Sequence, residues 1–166
     1  QAAWDAQRAR RLQPLAAPAS NETDAWRAYL FELRERIAGE DEDLAVMVTI
    51  GRPAPGRDHD VTRWIRDYDE DDGYSWASVI TGSPDAAYLA GRLVEAFAAR
   101  AEGSMHAVHL VFVGTPDEGD RVAEAARHTG LKFTFVDRGV PYPPGTPLPD
   151  SPPPLWQAWM ARRGGA

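Results

Sequence analysis

The sequence predicts a three-layer α/β protein, in which a mostly parallel four-stranded sheet carries helices on both faces. Short apolar runs alternate with segments of helical spacing along the 166 residues, and this alternation is typical of parallel sheets. Two of the apolar runs end in similar turns, Thr81–Asp85 and Val113–Asp117. Each turn contains a glycine, a hydroxyl residue that is the predicted N-cap (Ser83 or Thr115), a proline at the first helical position and an acid in the first turn, which are start signals of a helix.

The chain before the first strand divides into an arm and a helix. Residues 1–20 have little apolar area apart from Trp4, so we interpret them as an N-terminal arm. Ser20 and Asn21 are the predicted caps of a helix that runs to about residue 38, with Gly39 as its stop. One face of this helix is apolar and predicts a packed helix; its residues are Trp26, Leu30, Leu33 and Ile37.

Four apolar runs predict the strands of the sheet. They are residues 44–50, 76–81, 106–113 and 131–136. The first is apolar throughout, which favours a strand covered on both faces, so we expect it to be central or next to central. The last alternates apolar and polar residues, which predicts an edge strand.

Three helices are predicted to connect these strands. The first has Asp58 or Asp60 as its predicted N-cap, and the other two span about 84–101 and 116–128. In the third, Thr115 and Glu118 form the pattern of a capping box. The first has four apolar residues on one face: Val61, Trp64, Ile65 and Tyr68.

The C-terminal region is rich in proline. We interpret residues 141–166 as a strap that ends in a short helix, and residues 21–140 as a single α/β domain, a Rossmann-like or flavodoxin-like half. Because exposed indole rings favour aggregation, we expect Trp156 and Trp159 to dock on the body of the protein.

Composition excludes several classes of function. The formal charge of −7 disfavours binding to duplex nucleic acid, which needs clustered cations. No apolar run approaches the ~18 residues of a membrane span, and the chain has no cysteine. We therefore expect a cytoplasmic protein with no membrane contact. The pattern indicates no particular cofactor and no metal site.

The carboxyl ends of the strands are the first candidate site. Ligands of parallel sheets bind at that edge, and helix N-termini there favour anions. We expect a nucleotide or phosphate-like ligand, although neither turn is a dinucleotide fingerprint or a P-loop, and catalytic residues stay unassigned. The predicted ligand-binding residues are Arg52, Gly82, Ser83, Gly114, Thr115, Asp137 and Arg138.

A run of acids is the alternative site. It predicts a module of the inhibitor or immunity type that binds a basic protein partner. A calcium loop is disfavoured because, counted from Asp67, glycine stands at the seventh position instead of the sixth. The acids of this run are Asp67, Asp69, Glu70, Asp71 and Asp72.

The histidines offer no obvious catalytic group. His106 and His109 are three residues apart on a predicted strand, so they point to opposite faces. A histidine in an apolar strand is usually packed and hydrogen-bonded, and this is our interpretation of His109.

Overall fold

A computed structural model describes residues 1–38, 42–73 and 76–163 of the chain. Two compact units are present, one formed by residues 1–14 with 143–166 and the other by residues 15–142. The elements in chain order are α1 (Ala2–Arg11), α2 (Thr23–Ile37), β1 (Ala45–Val48), α3 (Asp60–Asp67), β2 (Ser78–Gly82), α4 (Ala86–Ala98), β3 (His109–Gly114), α5 (Pro116–Ala126), a 3-10 turn (Arg127–Thr129), β4 (Lys132–Asp137) and α6 (Pro154–Arg163).

The larger unit is built on a parallel sheet with the strand order β1-β2-β3-β4. Ile80 lies beside Val46 on one side and beside Val111 on the other. The predicted fold class is confirmed, including helices on both faces. Since every strand runs in the same direction, all four carboxyl ends lie at one edge of the sheet.

Each face of the sheet has its own apolar core. Helices α3, α4 and α5 cover one face, because crossovers of one hand that step in one direction place their helices on the same side. Helix α2 covers the other face. The first core includes Trp64, Ile65, Leu89, Phe97, Leu110 and Phe112. The second includes Trp26, Leu30, Leu33, Ile80, Val111 and Val136.

The predicted central position of β1 is wrong. Strand β1 lies at one edge of the sheet and pairs with β2, while β4 lies at the opposite edge, as expected. Residues 44–50 are apolar because α2 packs on one side and the α3 layer on the other. An apolar run reports that both faces are covered, but it carries no information about lateral strand pairing.

The start of α4 also differs from the expectation. The helix begins at Ala86 with Asp85 as its N-cap, instead of at Pro84 with Ser83 as its cap. Ser83 is buried, and its hydroxyl accepts a hydrogen bond from the amide of Asp85 at 3.0 Å. That bond closes a local turn before the helix, as serine often does.

Two other predicted caps are shifted. Helix α2 has Glu22 as its N-cap, and Ser20 accepts a hydrogen bond from the Glu22 amide at 3.4 Å. Helix α3 has His59 as its N-cap and begins at Asp60, and Asp58 pairs with two arginines instead. The apolar faces predicted for both helices are packed in the core. The predicted stop at Gly39 lies outside the described residues.

The smaller unit joins the two ends of the chain. Trp4 of α1 is buried; its indole NH donates to the carbonyl of Pro149 at 2.9 Å. Its ring meets that of Trp156 edge-on, with 5.2 Å between centroids. Arg8 donates to the carbonyl of Leu148 at 3.3 Å. The side chain of Trp159 lies outside the described part of the chain.

Candidate functional site

The turn after β2 has no free hydroxyl for a ligand. Gly82 lies where β2 passes close to its neighbours, and a Cβ atom there would be 2.9 Å from Cβ of Val113 and 3.3 Å from the ring of Trp26. Ser83 is 1% exposed, and its hydroxyl is bonded to the Asp85 amide. Close packing against Val113 and Trp26 therefore requires glycine at residue 82. The hydroxyl of Ser83 closes the turn.

Arg138 joins the ends of three strands. Its guanidinium Nη1 donates to the carbonyls of Pro84 at 2.9 Å and Ser83 at 3.3 Å, beyond β2. Its own amide donates to the carbonyl of Gly114 at 3.0 Å, at the end of β3. The structure thus brings together Ser83, Gly114 and Arg138, three of the predicted ligand-binding residues. The guanidinium of Arg138 is bound to main-chain oxygens.

The N-terminus of α5 already holds a carboxylate. Thr115 and Glu118 form the predicted capping box, and Oε2 of Glu118 accepts from the Thr115 amide at 2.9 Å. A Cβ atom on Gly114 would lie 2.6 Å from the ring of Phe112 and 3.0 Å from the same carboxylate. The positive end of this helix is therefore partly neutralised from within the chain.

The remaining two predicted residues make local contacts. The guanidinium of Arg52 lies 5.0 Å from the ring centroid of Tyr88 on α4. The carboxylate of Asp137 accepts a hydrogen bond from the amide of Gly139 at 2.8 Å. Arg52 is exposed and Asp137 is partly exposed.

The loop between β1 and α3 carries a carboxylate that pairs with two arginine side chains. Asp58 binds Arg92 of α4 at 2.5 Å and also Arg66 of α3. The hydrogen bond from Arg92 is the largest influence on Asp58; together with Arg66 it outweighs burial and lowers the pKa of this carboxyl. These two arginines are thus already paired with an anion of the chain.

The acidic run forms an exposed turn after α3, and we call residues 67–72 the acidic turn. All five of its acids are exposed, whereas Tyr68 within it is buried against α3. The Asp69 carboxylate accepts from the Asp71 amide at 2.9 Å. The carboxylate of Glu70 lies 3.7 Å from Nε2 of His106. The alternative site is therefore a contiguous charged surface.

Beside this turn, a groove of about 730 Å³ follows β1, and we call it the β1 groove. Its floor includes residues 44–47. One wall belongs to α2, where Phe31 is 42% exposed and stacks under the guanidinium of Arg34 at 4.9 Å. The other wall has the α3 residues Asp60, Arg63, Trp64 and Asp67 and the exposed Trp76.

The outer edge of β1 presents main-chain groups to the groove. The amide of Thr49 donates to the carbonyl of Gly82 at 3.4 Å, and the carbonyl of Met47 accepts from the Thr81 hydroxyl at 2.8 Å. The main-chain N–H and C=O groups of these odd-numbered residues therefore point towards β2. Since successive residues of a strand point to opposite sides in the plane of the sheet, Val46 and Val48 direct their N–H and C=O groups outward. No described strand lies on that side.

The β1 groove and the outer edge of β1 both depend on tertiary structure that the sequence does not show. The β1 groove needs α2, β1 and α3 to meet, and its one local signal is the absence of proline and lysine from residues 44–50. The sequence also did not predict a partly buried cluster at the amino ends of the strands. There His109 binds Glu42 through Nδ1, and its Nε2 shares a hydrogen bond of 2.8 Å with the Thr134 hydroxyl.

Within the described residues, no three His, Asp or Glu side chains lie close enough together to hold a metal ion. No helix in that part of the chain is long and apolar enough to cross a membrane. Comparison with protein-family models, with curated proteins and with solved structures found no match. The residues of the site are therefore the basis for a functional proposal.

Proposed function

We propose that this protein is an acidic interaction module that binds a basic partner protein. The observation that carries this proposal is the junction of the acidic turn with the β1 groove at Asp67, which belongs to both. A partner that meets this surface gains charge attraction from the turn and apolar contact from the groove. Interfaces of this composition combine an aromatic centre with a polar rim.

The charges around the groove favour a cationic partner. Asp43 and Asp67 line it; Asp43 makes no ion pair with a described residue, whereas the exposed Asp67 pairs with Arg66 at 3.1 Å. The cations of the two walls are already paired, Arg34 with Glu35 at 2.6 Å and Arg63 with Asp60. The formal charge of −7 adds a long-range attraction for basic proteins.

The aromatic groups supply the apolar part of the surface. Phe31 and Trp76 are large side chains with about half of their area exposed, 42% and 51%. The main chain at the second of them is held by Trp64, whose indole NH donates to the Trp76 carbonyl at 2.7 Å. Aromatic side chains have only two side-chain torsions, so they supply contact area at low cost in conformational entropy.

Binding of a small anion at the strand ends stays a prediction, and the geometry supports it less. The Ser83 hydroxyl, the guanidinium of Arg138 and the N-terminus of α5 all have partners within the chain. The order of the four described strands also contains no reversal, so it lacks the switch point at which such sheets usually hold ligands.

The test is a selection of binders from a library of short random peptides with the full chain as bait. Enriched peptides should carry Arg or Lys, and their binding should weaken as salt increases. The variant Asp67→Asn/Asp71→Asn should lose about tenfold in affinity at low salt, because it removes two exposed charges from the binding surface. The matched control is Asp117→Asn/Asp120→Asn on α5, which removes two exposed charges elsewhere and should bind normally.

Equal binding by both double variants would contradict the proposal. So would a selection that enriches peptides without basic residues.

A further inference from the structure

We infer that the partner contributes an extended segment that pairs with the outer edge of β1 as a fifth strand. This inference rests on the proposed function and specifies how the basic partner is recognised. The occupant is a segment of the partner whose basic side chains lie beside Asp43 and Asp67. Addition of a strand to an open sheet edge is a common way for proteins to bind extended peptides.

The main-chain groups of β1 select a strand over a helix. Val46, which lines the groove, and Val48, which lies beyond it, direct two N–H and two C=O groups outward from β1, as the opposite direction of Met47 and Thr49 requires. A helix satisfies its own main-chain groups and would leave these four unpaired. An extended segment supplies acceptors and donors at the matching spacing.

The edge lacks the proline, lysine and bulge that often prevent strand pairing, although β1 is only four residues long. Natural proteins protect an exposed edge with proline, lysine, a bulge or a covering element. Residues 44–50 contain neither proline nor lysine, and β1 pairs with β2 in register without a bulge. An apolar strand that stays open in this way is suited to a partner strand.

The walls of the groove predict a pattern in the bound segment. Val46 and Val48 pack on the α2 side of the sheet, whereas Ala45 and Met47 pack on the α3 side. A fifth strand would alternate in the same way. We expect apolar residues at the positions that face Phe31, and apolar or basic residues at the positions that face the α3 wall.

The charge of the chain disfavours a second copy as the occupant. Two copies would each bring a formal charge of −7 and the same exposed acids to the interface, and like charges oppose association. A basic segment of another protein removes this repulsion.

The experiment uses Val46→Pro and Val46→Ala, with the peptide enriched from the library as the probe. Proline at residue 46 removes one outward N–H, while Met47 and Thr49 keep their bonds to β2, so an edge strand tolerates it. Alanine shortens the same side chain but retains the N–H. We expect Val46→Pro to bind about tenfold more weakly, because a carbonyl of the segment loses its donor, and Val46→Ala to bind within about threefold of the natural chain.

A second arm tests the same bonds from the peptide side and does not depend on how the variants fold. Methylation of the peptide amides one at a time should weaken binding at alternate positions, since only alternate amides face β1. Weakening at every position or at none would overturn strand addition.

The outcomes separate this inference from the proposed function. If Val46→Pro binds as the natural chain does while Asp67→Asn/Asp71→Asn binds weakly, strand addition is wrong and the acidic module stands. If neither variant changes binding, the proposed function fails as well. Sedimentation that shows a dimer of the natural chain, which Val46→Pro dissociates, would overturn the partner segment in favour of a second copy.

Discussion

The imidazole of His109 and the carboxylate of Glu42 share a hydrogen bond that joins the start of β3 to the residues before β1. Ser78 of β2 donates to the same carboxylate oxygen at 3.1 Å, and Thr134 of β4 bonds the other ring nitrogen at 2.8 Å. One buried histidine thus links residues of β2, β3 and β4 with the segment that precedes β1. This confirms His109 as packed and hydrogen-bonded.

The Glu42 carboxylate should make folding stability depend on acid. Burial acts to raise the pKa of Glu42, but hydrogen bonds from His109 and Ser78, with nearby positive charge, outweigh it and lower the pKa below its usual value of 4.5. Since the folded pKa is below the unfolded one, the ionised form stabilises the protein above pH 4.5. That stabilisation is lost as the pH falls through the folded pKa.

Glu42→Gln should therefore lower the free energy of unfolding near neutral pH, and the difference from the natural chain should shrink below pH 4.5. Chemical denaturation across this pH range measures it. Glu102→Gln is the control, because Glu102 is exposed and makes no hydrogen bond to a described residue. A Glu42→Gln difference that stays constant with pH would contradict the expectation.

Gly91→Ala should stabilise the protein by about 1 kcal/mol, which is the usual difference between the two residues inside a helix. Gly91 lies within α4, and a Cβ atom added there would meet nothing within 4 Å. Thermal or chemical denaturation provides the measurement. Gly103→Ala should instead destabilise, since Gly103 has a φ of +68° that disfavours side chains. Loss of stability in Gly91→Ala would show an unrecognised close approach.

Gly82→Ala should destabilise the protein by about 1 to 3 kcal/mol, the usual cost of an extra methyl group in a packed core. The added Cβ would lie 2.9 Å from Cβ of Val113, an atom that moves only with its strand. It would also lie 3.3 Å from the ring of Trp26, so fluorescence of the folded state should change. Unchanged stability would show that α2 and the sheet leave room for the added methyl group.

Arg138→Ala should lower the free energy of unfolding by about 1 to 2 kcal/mol, because two carbonyls lose a charged donor. The carbonyls belong to Ser83 and Pro84, and the guanidinium is partly buried. Arg127→Ala is the control, since its side chain is 75% exposed and pairs with Glu124. Equal loss in both variants would argue against a structural role for Arg138.

The anion prediction is tested with the same variant. A thermal-shift screen of the natural chain against phosphate, nucleotides and sugar phosphates should show a stabilisation of about 2.7 kcal/mol at about one hundred times the dissociation constant of any true ligand. That shift should disappear in Arg138→Ala. A screen without a shift from any of these anions would contradict a site at the strand ends.

Local patterns predicted the layers of the fold correctly. The i, i+3, i+4 spacing of Val61, Trp64 and Ile65 places these residues in the core, because helical periodicity alone decides which face of a helix can be apolar. The capping box of Thr115 and Glu118 was also correct, since all of its bonds lie within four residues. The alternation of such segments was enough to predict a parallel sheet.

Interactions between distant segments account for what local patterns did not predict. Ser83 was expected to cap α4, but it is buried and closes a turn before that helix. Arg138 stays a predicted ligand-binding residue, and its guanidinium donates to carbonyls 54 and 55 residues away in the chain. No local rule states which distant carbonyl needs a donor.

Local sequence patterns were enough to predict a parallel α/β sheet and an acidic surface at residues 67–72. Both depend on side-chain periodicity and charge, which are properties of short segments. The edge position of β1, and the groove between α2 and α3 that Val46 lines, arise only from contacts between distant segments. Every residue carries the same main-chain donor and acceptor, so the pairing of a strand edge depends on which other strands reach it.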